Sequence, residues 1–153
     1  MRCNLVDPRI LTDQHLIAER RELRMIPPFL EKRLRLGIAA ASDIPVFYTL
    51  GRGHMKFWLD KFKFLETRFI ALTKEMQFRG FNPDLTLSLE TSVAKKLGLY
   101  NDYIPRDLDI EVSKCRIVDR ILQKPTWYRF HSLPISVDWI TLNYFPERSL
   151  LKA

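Results

Sequence analysis

The run Asp13-Gln14-His15-Leu16-Ile17-Ala18-Glu19-Arg20-Arg21-Glu22-Leu23 gathers carboxylates, an imidazole and guanidinium groups within about three helical turns. At 3.6 residues per turn His15, Glu19 and Glu22 share one stripe and Gln14, Ala18 and Arg21 the next, while Leu16 and Leu23 turn toward a core. Such a polar wall does chemistry only beside a reacting group; a solvated face of i to i+3 and i+4 ion pairs accounts for the same pattern. The chain terminus could be that group. An α-amine titrates near about 7.7 to 8.0 against about 10.4 for lysine, so at neutrality it is far more often the free base that attacks an electrophilic carbon and closes a Schiff base. Arg2 is too large to favour removal of the initiator, which makes the amine that of Met1. An ordinary frayed terminus is the alternative.

Three helical segments must position these groups. The first starts near Asp13 as N-cap and runs through Leu16, Leu23, Ile26, Leu30 and Leu34 to a stop at Gly37, with a kink expected at Pro27-Pro28. The second runs from about Asp60 through Phe62, Leu65, Phe69, Leu72 and Met76 to Gly80. The third takes Pro105 as a first-turn proline and continues on an apolar stripe of Leu108, Val112, Cys115, Val118 and Leu122 until Pro125. Its acidic start and basic finish both suit the helix dipole. No strand alternation of useful length is present, so the expectation is a compact all-α domain of three main helices joined by long loops.

With 153 residues the chain can bury one core but hardly two. It holds no apolar run long enough to span a bilayer and no apolar secretory leader, which leads to the expectation of a cytoplasmic protein. Two cysteines and three histidines without metal-ligand spacing give no expectation of a metal or disulfide framework. The net charge of +7 favours a polyanionic partner. Residues 1–80 carry 15 basic and 9 acidic side chains, 81–113 carry 3 and 6, 114–131 carry 5 and 1, and 132–153 carry 2 and 2. Two basic blocks around an acidic connector imply a bipolar molecule whose first and third parts share a basic face.

Gly51-Arg52-Gly53-His54 could expose backbone amides to a phosphate, but Lys56 stands where a dinucleotide fingerprint needs its third glycine. The loop is therefore read as structural first and as a phosphate contact second, and His54 as a satisfied loop histidine ahead of a ligand. Phe57-Trp58 and Phe62, Phe64 and Phe69 are read as core.

Asn4-Leu5, Asp13-Gln14-His15-Leu16, Ala18-Glu19, Arg21-Glu22-Leu23, Leu50-Gly51-Arg52-Gly53-His54 with Asp60-Lys61, Arg79-Gly80-Phe81-Asn82, Asp102-Tyr103-Ile104-Pro105 and Pro125-Thr126-Trp127-Tyr128 occur in one order along the chain. In order and spacing, over about residues 1–131, they resemble the phage-type pyrimidine-dimer DNA glycosylases, the endonuclease V family. The resemblance implies a three-helix fold whose N-terminal segment lies between helices, and damaged double-stranded DNA as partner. It implies that the terminal amine attacks C1′ of the 5′ nucleoside of a cyclobutane dimer, expels the base, and forms an imine that loses the 3′ phosphate by β-elimination, with no cofactor. Met1 takes the nucleophile's place and Glu22 that of the catalytic carboxylate. Arg2 and Arg21 match phosphate-clamping arginines, Gln14 and His15 match DNA contacts of the first helix, and Arg116 and Arg120 match basic residues of the third. Trp127, Tyr128 and Arg129, with Phe130 and His131, fall on an aromatic-basic segment suited to stacking and cation–π contact, while a plain core or capping role accounts equally well for each single ring.

The chain departs from the family pattern at several points. Met1 replaces a small residue, and Arg20 stands where the family has tyrosine. Arg24 and Met25 stand where it has proline and arginine; Arg24 is counted with the DNA contacts. Residues 132–153 form an extension of open role beyond a glycosylase-like domain at 1–131. Two other readings stay open: the same imine chemistry on another lesion or on abasic sites, and a DNA-binding module with a dead centre.

Overall fold

The computed structural model describes residues 2–149 and is mainly helical. It divides into two compact units, one of Met1–Cys3 and Ala18–Ile104, the other of Asn4–Ile17 and Pro105–Ala153. Along the chain α1 (Asp13–Leu23) is followed by α2 (Ile26–Arg35), a short α3 (His54–Phe57), α4 (Phe62–Phe78), α5 (Ser92–Lys96) and α6 (Asp107–Gln123). A hairpin of β1 (Arg129–Phe130) and β2 (Leu133–Pro134) then leads to α7 (Val137–Tyr144) and α8 (Pro146–Ser149). Among the described residues no helix is long and apolar enough to cross a membrane.

The first expected helix is two helices. Pro27 and Pro28 have no N–H to give the carbonyls of Leu23 and Arg24, so α1 stops at Leu23 and α2 begins anew with both prolines in its first turn, where no donor is required. The N-cap of α1 is Thr12, not Asp13: the Thr12 hydroxyl accepts the His15 N–H at 3.3 Å. In the first unit α4 buries Phe62, Leu65, Phe69, Leu72 and Met76 on one face. It ends in a Schellman turn in which the N–H of Gly80, at φ +80°, meets the Gln77 carbonyl and that of Phe81 meets the Met76 carbonyl. Its start is at Phe62 rather than Asp60, because α3 and Trp58 occupy the preceding turn and Lys61 has left helical backbone angles. Phe57, Trp58 and Tyr48 pack edge to face beneath it as an aromatic core.

In the second unit the expected face of α6 is displaced. Leu108, Cys115 and Leu122 are exposed, and the buried seam is Asp109, Ser113, Ile117 and Ile121. Polar residues enter that seam because the backbone needs them: Ser113 Oγ accepts the Leu5 N–H at 2.9 Å and Asp109 accepts the Arg106 N–H at 3.1 Å. Pro105 precedes the N-cap Arg106 instead of entering the first turn. The hairpin was not expected. Its two-residue turn places His131 and Ser132 at φ 48° and 65°, angles that favour glycine or asparagine. Asp13 supports it by accepting both N–H groups, at 3.2 and 2.8 Å. Residues 132–149 belong to this unit: Tyr144 is fully buried and its hydroxyl donates to the Ile10 carbonyl at 2.7 Å, while Trp139 packs on Phe130.

Candidate active site

The first unit holds the carboxylate that the sequence singles out. Glu22 is half-buried on α1, and its Oε2 is buried with no hydrogen-bond partner among the described residues. An unpaired buried carboxylate oxygen is costly and asks for an explanation; Arg33 Nε and Trp58 Nε1 are likewise buried without a partner among the described residues. Glu19, three residues earlier, is occupied: its fully buried carboxylate is clamped by Arg68 at 2.8 and 3.1 Å. The two acids of the stripe thus differ in kind, one holding the fold and the other unspent.

The Cys3 backbone is fixed from both sides. The Cys3 N–H donates to His54 Nε2 at 3.0 Å, and the Cys3 carbonyl accepts from the Tyr48 hydroxyl at 3.1 Å. His54 can accept there because its Nδ1 faces the Thr49 carbonyl at 2.8 Å, which sets the proton on Nδ1. The Cys3 thiol is fully buried; burial first, then the charge of Glu19, pushes it well above its ordinary range, with Arg68 opposing. Cys3 therefore lies within electrostatic reach of Glu19. Met1 itself lies outside the described residues, and Arg2 is half-buried.

Arg20 is absorbed by the fold, donating to Thr73 Oγ1 at 2.8 Å and the Asp84 carbonyl at 2.7 Å while its guanidinium covers the Phe69 ring. Burial and the like charge of Arg24 push it down, and Asp84 opposes. Arg21 and Arg24 are exposed.

In the second unit the residues read as DNA contacts at the start of α1 have an internal task. The Gln14 amide donates to the Trp127 carbonyl and accepts the Arg129 N–H, both at 2.9 Å. His15 is buried, meets Thr12 Oγ1 through Nδ1 at 2.7 Å, and stacks on Tyr128 with centroids 4.8 Å apart. Asp13, Gln14 and His15 together bind residues 127–132 to α1. Tyr128 is thereby buried, and the Arg129 guanidinium donates to the carbonyls of Thr126 and Tyr128. Trp127 stays more than half exposed, with the Lys124 ammonium 5.6 Å from its ring centroid. On α6 Arg120 is exposed and Arg116 half-buried. Among the described residues no cluster of His, Cys, Asp or Glu is placed to hold a metal ion.

The sequence motifs contained His54 and Asp13 but did not show their tasks, and Tyr48 and Arg68 were missed. A histidine following two glycines was a signal for a loop anchor; nothing marked Arg68 as the partner of Glu19. Residues 1–89 match the family model described as pyrimidine dimer DNA glycosylase. That match covers more than half of the chain, including Glu22, the Cys3 anchor and its His54 partner, and the chain belongs to the pyrimidine dimer DNA glycosylase family.

Proposed function

We propose that the protein is a DNA glycosylase with abasic-site lyase activity that acts on cyclobutane pyrimidine dimers in duplex DNA through the α-amine of Met1. The observation that carries this reading is the buried Oε2 of Glu22, which has no hydrogen-bond partner among the described residues, in a unit whose Cys3 is held by His54 and Tyr48 two residues from that amine. The free amine attacks C1′ of the dimer's 5′ nucleoside, and the glycosidic bond breaks with its electrons on the departing base. Glu22 stabilises the positive charge that grows on the sugar and then on the iminium. Ring opening gives the imine, loss of a C2′ proton drives elimination of the 3′ phosphate, and water releases the amine. Every electron pair comes from the amine or the sugar, so the sequence of steps needs no cofactor.

Arg21 and Arg24 in the first unit and Arg116 and Arg120 in the second are proposed to hold phosphates, with Arg2 beside the reacting sugar and Trp127 offering a stacking face. Gln14, His15, Tyr128 and Arg129 act by ordering the segment that carries Trp127. The linked bases of a dimer stack poorly, so the duplex deforms cheaply at the lesion.

Glu22→Gln tests this reading. It keeps the shape and removes the charge, so strand cleavage at a dimer should be abolished while affinity for damaged duplex stays within about threefold. Cleavage at the parental rate would remove Glu22 from the mechanism.

A further inference from the structure

The apolar stripe that the sequence gives α6 faces outward. At about 100° per residue Leu108, Val112, Cys115, Val118 and Leu122 fall on the side of the helix opposite its buried seam of Asp109, Ser113, Ile117 and Ile121. Leu108 is 64% exposed, Leu122 54% and Val112 37%; Cys115 is exposed and Val118 half-buried. The stripe runs for about four turns, or about 21 Å. Beside Cys115 it borders a cavity of about 340 Å³ between Glu111 and Lys114 of α6 and Phe145 and Pro146 at the junction of α7 and α8. A single exposed apolar side chain is ordinary, but a row of them in helical register along one face calls for a partner.

The stripe is symmetric about its centre. Leu108 and Leu122 lie seven positions to either side of Cys115, and Val112 and Val118 three. A second α6 turned antiparallel about a two-fold axis through Cys115 sets Leu108 level with Leu122 of the copy, Val112 level with Val118, and Cys115 level with itself, so apolar meets apolar along the whole face. Charge selects the same direction. Exposed Asp107 and Glu111 stand in the first half of the helix, and exposed Arg120 and Lys124 at its end. Antiparallel pairing brings the acidic start of each helix toward the basic end of the other and opposes the two dipoles, whereas parallel pairing stacks like on like. Glu111 and Asp119, and Lys114 and Arg116, come level across the axis but on opposite flanks, and Lys114 is already met by Glu111 at 2.7 Å. Val118 shares the flank of Glu111 and Lys114, so the axis carries the Val118 of the copy toward the cavity beside Cys115. We propose that two copies of this chain associate through α6 as an antiparallel, self-complementary pair centred on Cys115. This pairing stands apart from the glycosylase reading. One helix face makes a small interface, so the dimer forms with rising concentration and is not permanent.

Sedimentation equilibrium of the full chain under reducing conditions, across a series of concentrations, reads the association. The parent should pass from monomer to dimer. Leu122→Glu enters the interface twice and should weaken pairing about a hundredfold with an unchanged circular dichroism spectrum, and the uncharged Leu108→Ser should act in the same direction. Cross-linking reads the register. Diamide accepts the two electrons and two protons that a pair of thiols gives up on forming a disulfide, and it should join Cys115 to Cys115 of the copy, since Cys3 is fully buried. In a Cys115→Ser background, Leu108→Cys and Leu122→Cys chains should cross-link when mixed and neither should when alone, because only the mixed positions come level. A parent that stays monomeric at every concentration would overturn the pairing, and so would a dimer indifferent to both Leu122→Glu and Leu108→Ser. Leu108→Cys chains that join to one another would overturn the antiparallel register. A monomeric parent whose affinity for duplex DNA falls with Leu122→Glu and Leu108→Ser would overturn the proposal in favour of nucleic acid on this face.

Discussion

The backbone N–H of Cys3 donates to Nε2 of His54 at 3.0 Å, a bond between residues 51 positions apart that fixes the chain two residues behind its amine. His54→Ala removes it and leaves the Tyr48 bond to the Cys3 carbonyl in place. Imine formation should slow by about 10- to 100-fold, since displacement of a reacting group by about 1 Å has such an effect. Affinity for damaged duplex should change little. Single-turnover trapping and equilibrium binding check the two halves, and unchanged trapping would show that His54 does not position the terminus.

Glu19 and Glu22 lie three residues apart on α1 and should fail in opposite ways. Glu19→Gln removes the buried Arg68–Glu19 ion pair and should cost about 3 kcal/mol of stability. Glu22→Gln should keep or raise stability, because it replaces a carboxylate whose buried oxygen has no partner among the described residues. Urea denaturation distinguishes them. Equal destabilisation would mean that Glu22 is a structural acid.

Gln14→Ala should act through the fold of the second unit. It leaves the Arg129 N–H and the Trp127 carbonyl without their partner, a loss of about 2 kcal/mol for two hydrogen bonds. Exposed Trp127 should become more mobile by fluorescence anisotropy. The slope of log affinity against log salt should not change, whereas Arg21→Ala, Arg24→Ala or Arg120→Ala should each lower it by roughly 0.9. A salt slope that falls with Gln14→Ala would return Gln14 to the DNA contacts.

What could be read in the sequence was what local rules determine. The α4 face at Phe62, Leu65, Phe69, Leu72 and Met76 and its stop at Gly80 follow from periodicity and backbone freedom, so they were legible. The α6 face was misread because its burial is set at a distance: Ser113 is inside to receive Leu5, and no pattern within the helix marks that. The Asp13 carboxylate was read as a cap and instead supports a left-handed turn more than a hundred residues away, with Thr12 capping in its place. At the site, residue types were legible through motif spacing. Which acid was spent and which was not depended on Arg68, a partner 49 positions from Glu19.

The account stands most directly on the amine of Met1. Borohydride trapping on a dimer-containing duplex, followed by peptide mass mapping, locates the nitrogen that carries the DNA. In the untagged protein the covalent adduct should sit on the peptide that begins with Met1. In a protein with an uncleaved N-terminal extension that nitrogen is an amide, neither basic nor nucleophilic, and no adduct should form although the helical fold persists by circular dichroism. An adduct on a lysine, or full glycosylase activity from a protein whose extension is verified by mass, would contradict the proposed nucleophile.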